Sequence, residues 1–281
     1  MAEQKRPTAL VLTGYGINCD FETQAALNAA GFSAERVHVN DVLAKKSSLS
    51  DYSLLAFPGG FSYGDDLGAG KGMANKLIFS KLNSHSFREE LQKFVDAKKL
   101  VLGICNGFQI MVKLGIAPAL GGKYFEQQST LFANDSGRFE DRWVGLKVNK
   151  KSPCVFTRGT ETLELPVRHG EGKFIPASAE VLKALEAENL VALRYADKDF
   201  NITNSYPENP NGSVNAIAGV CDETGRVFGL MPHPEGHVSF YQHPHWTRAK
   251  IELERNGRPV PEKGAGMKIF ENAFSYCAGK L

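Results

Sequence analysis

Along the first half of the chain, runs that are apolar throughout alternate with stretches of helical spacing. TALVLTG (8–14), SLLAFPGG (53–60) and LVLGIC (100–105) are short unbroken apolar runs closed by turn residues, the pattern of strands buried on both faces. AERVHVN (34–40) is expected to be another strand. The first helix is predicted over DFETQAALNAAG, with Asp20 as N-cap and Gly31 at its end. A further helix starts at SFREELQKFVDAKK, where Ser86 and Glu89 have capping-box spacing and a lysine pair lies near the negative end of the helix dipole. NGFQIMVKLG returns to helical spacing directly after Cys105. Strands separated by helices need crossover connections, so the fold class is α/β, a mostly parallel central sheet with helices on both faces.

The second half is less regular. RWVGLKVNK, LELPVRHGEGKF and LVALRYA are expected to be strands, with SAEVLKALEAE a helix between the last two. NAIAGVCDETGRVFGLMP predicts a β-hairpin around DETG, and MKIFENAFSYCAGK an amphipathic closing helix. No repeat, low-complexity tract or long linker divides the chain. One domain is therefore expected over 1–281, with a C-terminal extension from about residue 241.

Composition narrows the class. A chain of 281 residues can bury a full core as one large domain or two small ones. Lys+Arg 33 against Asp+Glu 31 leaves 33 − 31 = +2, too balanced for a nucleic-acid partner. No stretch approaches the ~20 apolar residues of a membrane span. The start, MAEQKRPTALVLTG, has no small-residue cleavage site and reads as a strand, not a signal peptide. Five cysteines (19, 105, 154, 221, 277) form an odd set without C-x-x-C, which argues against disulfides or zinc and for a reducing cytoplasm.

The sharpest chemical signal is Gly103-Ile104-Cys105-Asn106-Gly107, where a buried strand turns into a helix. It has the G-x-nucleophile-x-G spacing of a nucleophile elbow, with flanking glycines to permit the tight turn. The helix opening at Asn106 points its N–H groups at the sulfur and favours a thiolate. A buried structural cysteine is the bland alternative.

Met231-Pro232-His233-Pro234-Glu235 follows the predicted hairpin. Two prolines hold the histidine in extended chain, where residues i and i+2 point the same way, so Glu235 reaches the His233 ring as an orienting carboxylate. A metal reading of His233 with His237, His243 and His245 is set aside, because H-x-x-x-H needs a helix and Pro234 stands where it would begin.

The third signal is Phe57-Pro58-Gly59-Gly60-Phe61-Ser62-Tyr63-Gly64-Asp65 at a strand end. Gly70-Lys71 suggests a phosphate loop, but the pattern would need glycine at Asp65 and Ser or Thr at Gly72. An oxyanion hole fits better, with one N–H from the Gly59-Gly60 turn and one from Asn106. The Gly59-Gly60 peptide is expected to be free to flip, so its donor need point inward only when a partner holds it.

These segments, with NDSGRFEDRWV (134–144), RHGEGKF (168–174) and NPNGS (209–213), make the chain similar to the class I (triad) glutamine amidotransferases. Within them it resembles the glutaminase components of purine biosynthesis, over roughly residues 8–240. The resemblance implies a flavodoxin-like sheet, Cys105 as nucleophile, His233 as acid/base and Glu235 as orienting carboxylate. It implies Gly60 and Asn106 as oxyanion donors, and Gly59, Gln109, His169, Gly170 and Glu171 around L-glutamine. It further implies no cofactor or metal on this chain, with ATP and Mg on a synthetase subunit that amidates formylglycinamide ribonucleotide, and in some organisms a small bridging subunit. Ser136, Arg138 and Phe139 are signature positions whose role in substrate contact, scaffold or docking stays open.

Gly68 and Gly236 stand where relatives carry arginines. The spacer SKLNSHSFREE is similar to that of longer, fused synthetases. Cys19, Cys154, Cys221 and Cys277 lack an elbow and a nearby base in sequence and are expected to have no role. Two other classes remain as alternatives: a stand-alone cysteine hydrolase on this fold, and a non-catalytic regulatory relative.

Overall fold

The computed structural model describes residues 6–80 and 86–280; the start of the N-terminal segment and 81–85 of the spacer lie outside the described residues. A nine-stranded sheet dominates. Its parallel half runs β2 (Ser33–His38), β1 (Thr8–Thr13), β3 (Leu54–Phe57), β4 (Leu100–Ile104) and β11 (Val227–Leu230). It continues antiparallel through β10 (Ile217–Cys221), β9 (Val191–Ala196), β6 (Glu140–Val148) and β7 (Thr162–His169), so only β10 and β6 run against the other strands. Every residue of β3, β4 and β11 is buried, as their unbroken apolar sequences require.

Two helix pairs pack on this sheet: α1 (Asp20–Ala30) with α8 (Met267–Cys277), and α3 (Lys71–Phe79) with α5 (Asn106–Leu114). The remaining helices are α2 (Val39–Leu43), α4 (Phe87–Asp96), α6 (Ala179–Ala187) and α7 (Trp246–Arg255). Among the described residues, no helix is long and apolar enough to cross a membrane. The segment after residue 241 is not uniform. Its helix α7 buries nothing, whereas α8 places Met267, Ile269, Phe270 and Ala273 in the core beside α1.

Several local expectations change. Cys19, not Asp20, caps α1; Asp20 is the first helical residue and pairs with Arg36 at 3.2 Å. The strand expected over 34–40 ends at His38, because the His38 ring accepts the Asn40 N–H at 3.1 Å and opens α2. LELPVRHGEGKF is not one strand. β7 ends at His169, and β8 (Lys173–Pro176) leaves to pair with β5 (Ser129–Phe132) in a separate two-stranded sheet. Asn134 makes that break, donating to His169 O at 2.8 Å and accepting from Gly172 N at 2.9 Å. Helix α3 and strand β5 are not among the elements expected from sequence.

Candidate active site

β4 delivers Cys105 to the carboxyl edge of the sheet, between Ile104 and the first residue of α5. Cys105 itself takes the unusual backbone, φ 50° and ψ −105°, a strained conformation that persists only where its surroundings enforce it. The flanking glycines serve a different need from the one expected. A Cβ on Gly103 would lie 2.2 Å from Met111 Sδ, and one on Gly107 1.8 Å from Phe57 O. They let α5 sit close against β3 and β4, and the turn's strain falls on the cysteine.

Strand β11 hands His233 to the same edge. Its N–H donates to Pro166 O at 2.8 Å, and its Nδ1 lies 2.5 Å from Glu235 Oε1. The contact does not arise from extended chain, because Pro234–His237 is a 3-10 turn that folds Glu235 back beneath the ring. His233 and Glu235 are 2% and 4% exposed, dry enough for the pair to interact strongly. Burial opposes a charged His233, but Glu235, and after it Cys105 and Cys19, raise its pKa well above the ordinary histidine value. Two thiols therefore face this ring, where sequence pointed to one.

The Gly59 carbonyl accepts from Cys19 N at 3.1 Å and Asn18 N at 3.3 Å. In a trans peptide the Gly60 N–H then points the opposite way. Among the described residues, no backbone carbonyl accepts from Gly60 N–H or Asn106 N–H. The peptide expected to flip freely is thus held by two hydrogen bonds. Gly60 (φ 147°) must stay glycine, since a Cβ would meet Gly16 O at 2.7 Å and Asn18 N at 2.8 Å.

Residues 6–277 match the family described as the CobB/CobQ-like glutamine amidotransferase domain. The chain belongs to this amidotransferase family. It is 42% identical over 272 residues to the phosphoribosylformylglycinamidine synthase subunit PurQ of Methanococcus maripaludis, covering 96% of this chain and 97% of that one. It is 46% identical over 267 residues to the subunit of the same name from Dehalococcoides mccartyi, with 95% and 96% covered. Among solved structures, a chain of PurLQS from Thermotoga maritima superposes with a TM-score of 0.67 at 30% identity, covering 96% of this chain and 99% of that chain.

In this amidotransferase, the residues expected around glutamine are already tied to one another. Gln109 accepts from Asn106 Nδ2 at 2.9 Å and donates to Glu171 O at 2.6 Å, clipping α5 to the 169–172 turn. Glu171 accepts from Ala69 N at 3.1 Å. The Gly170 carbonyl accepts from Asn134 N at 2.9 Å, and a Cβ at Gly170 would find only Phe139, at 4.0 Å. His169 is sealed in, 2% exposed, between Asn134 Oδ1 at 3.2 Å and Asn211 Nδ2 at 3.5 Å. Burial, and then the neighbouring His233, push its pKa down to about 3, so it stays neutral.

The signature segments NDSGRFE and NPNGS bond to this turn and its neighbours. Asn211 donates to Tyr195 Oη at 2.9 Å, and Ser213 Oγ bonds Gly172 O and accepts from Phe174 N. Asn134, Asn211 and Ser213 had no individual signal in sequence beyond lying in NDSGRFE and NPNGS. Ser136 Oγ accepts from Arg138 N at 3.3 Å, a local turn. Phe139 is 52% exposed and lies 6.0 Å from the half-exposed Phe61 ring, making an aromatic pair at the rim. Gly68 opens to empty space, whereas at Gly236 a Cβ would lie 2.8 Å from Pro166 Cγ and 3.3 Å from Arg168 Nη2, so side chains of β7 occupy the room beside it. His237, from the rejected metal reading, donates through Nδ1 to Glu164 O at 2.8 Å and does not join His233.

Proposed function

We propose that the chain is the glutaminase subunit of phosphoribosylformylglycinamidine synthase. The observation that carries this reading is the buried His233–Glu235 pair at the same sheet edge as the Cys105 strand-to-helix elbow, in a chain of the glutamine amidotransferase family. Cys105 attacks the side-chain amide carbon of L-glutamine, and Gly60 and Asn106 N–H groups receive the oxyanion. Each such donor is worth on the order of 10²–10³ in rate. His233 takes the thiol proton and gives it to the departing ammonia, leaving a γ-glutamyl thioester, then activates water to release glutamate. Glu235 fixes the ring's tautomer and stabilises the imidazolium.

The ammonia passes to an ATP-dependent synthetase subunit, which converts formylglycinamide ribonucleotide to formylglycinamidine ribonucleotide. ATP and Mg belong to that partner, and this chain needs no cofactor for the hydrolysis. The relatives' names, each a subunit of the synthase, and the likeness to a PurLQS chain support such a partner. We place its contact at the exposed Phe61–Phe139 pair, and assign the assembly, with or without a small bridging subunit, to the cytoplasm.

The test is reconstitution with the synthetase. Cys105→Ser should abolish glutamine-dependent synthesis while ammonium-dependent synthesis survives. Loss of both activities in an intact complex would remove Cys105 from a dedicated glutaminase role. The partner with ATP and ribonucleotide should also raise kcat for glutamine hydrolysis; equal kcat with and without it would point to a stand-alone hydrolase.

A further inference from the structure

Cys19 was expected to have no role, yet its Sγ, a His233 ring nitrogen and a Glu235 carboxylate oxygen all lie within 4.8 Å of one another. We propose that Cys19, His233 and Glu235 form a binding site for a thiophilic divalent cation such as Zn2+, and that occupancy arrests the glutaminase. The arrest rests on the function proposed above; the binding does not.

The donor set is one thiolate, one imidazole and one carboxylate, the mixture a borderline-soft ion accepts in tetrahedral sites. Ligand bonds of about 2.0–2.3 Å require donors roughly 3.3–3.8 Å apart, so the three groups need to move by only about an ångström. Backbone already holds two of them. Cys19 N–H is bound to Gly59 O, the Cys19 carbonyl accepts from Thr23 N and Oγ1, and His233 N–H is bound to Pro166 O.

Unused donor capacity points the same way. Among the described residues, Glu235 Oε2 is buried without a hydrogen-bond partner. Cys19 is the partly exposed member of the group, so an ion enters from its side and keeps water as a fourth ligand. The carboxylate and the thiolate together cancel the ion's charge, and binding releases the Cys19 proton to solvent.

Occupancy removes the base. The ion takes Nδ1, the nitrogen beside Glu235, replaces the proton shared with that carboxylate and confines the ring's proton to Nε2, so the ring cannot accept the Cys105 proton. The nucleophile need not be a ligand. This separates the site from simple capture of a Cys–His pair, and it predicts inhibition in kcat. The ligands come from the loop before α1 and the turn after β11, so no sequence spacing could reveal the set.

The experiment titrates metal-free chain with Co2+, following thiolate-to-cobalt charge-transfer absorption, and then displaces the cobalt with Zn2+. Wild type and Cys105→Ser should each bind one ion with the charge-transfer band. Cys19→Ser should lose the band and bind about tenfold or more weakly. Glu235→Gln, with both thiols intact, should keep the band and weaken binding by a similar factor. A band that survives in Cys19→Ser and vanishes in Cys105→Ser overturns the proposal in favour of the Cys105–His233 pair. Affinity unchanged by Glu235→Gln overturns the three-ligand site. In parallel, Zn2+ should lower kcat for glutamine hydrolysis, with recovery on adding chelator. A chain that binds cobalt as described but shows no glutaminase activity would fail the function proposed above and leave the cation site standing.

Discussion

The carbonyl of Gly59 accepts the amide N–H of Cys19 at 3.1 Å, and this bond organises both sides of the pocket. It turns the Gly60 N–H, the donor proposed above for the oxyanion, the opposite way. It also sets the Cys19 sulfur beside His233. A Cβ on Gly59 would lie 2.7 Å from His233 Cε1 and 3.2 Å from Cys19 Sγ.

Gly59→Ala should therefore fold and fail. Gly59 does not have the left-handed backbone that would strain alanine, so the methyl acts by pushing the His233 ring off its line to Cys105. We expect kcat to fall on the order of 10²-fold, since misplacing a reacting group by about an ångström costs that much. Unaltered circular dichroism with unchanged kcat would show that the ring moves without consequence.

Glu235→Gln should depress kcat on the order of 10²–10⁴-fold with little change in KM. It removes the largest influence raising the His233 pKa and leaves burial, which lowers it, so the ring's titration should move down, as read by NMR of the imidazole nitrogens. A raised histidine pKa stabilises the fold fully below the unfolded value, near 6.5, and that contribution is lost as pH climbs through the folded value. The variant's deficit in Tm should accordingly be largest at mildly acidic pH and narrow on the alkaline side.

Asp65 is the opposite case, an acid whose pKa rises to about 6 through burial and then the nearby Glu171. Its ionisation costs the folded state little below about pH 4, and the cost grows until pH has passed through about 6. Asp65→Asn should raise Tm by about 2–4 °C near pH 8, the partial exposure screening the charge, and by much less near pH 4. A gain of equal size at both pH values would place the benefit in hydrogen bonding to Asn106 and not in charge.

Asn134→Ala removes four hydrogen bonds at once, to Arg138 O, His169 O, Gly172 N and the His169 ring. With His169 left unsatisfied in the interior, unfolding in urea should show a loss of about 3 kcal/mol. The 169–172 turn loses its anchor, so KM for glutamine should rise more than kcat falls. An effect on kcat alone would mean that this turn supports the chemistry and not the substrate.

Sequence alone determined the parts that depend on local pattern. Unbroken apolar runs marked β1, β3 and β4, because strands buried on both faces have no polar side to interrupt them. The elbow at Cys105 and the close spacing of His233 and Glu235 were legible for a related reason, since each needs particular residues at adjacent positions. Tertiary structure decided whatever depends on contact between distant segments. It placed the positive φ on Cys105, because Gly103 and Gly107 are reserved for close approach to Met111 and Phe57. It divided LELPVRHGEGKF at Gly170–Gly172, because an asparagine some thirty-five residues upstream competes for that backbone. It also brought Cys19 to His233 across 214 positions, through a backbone bond to Gly59 that no periodicity records.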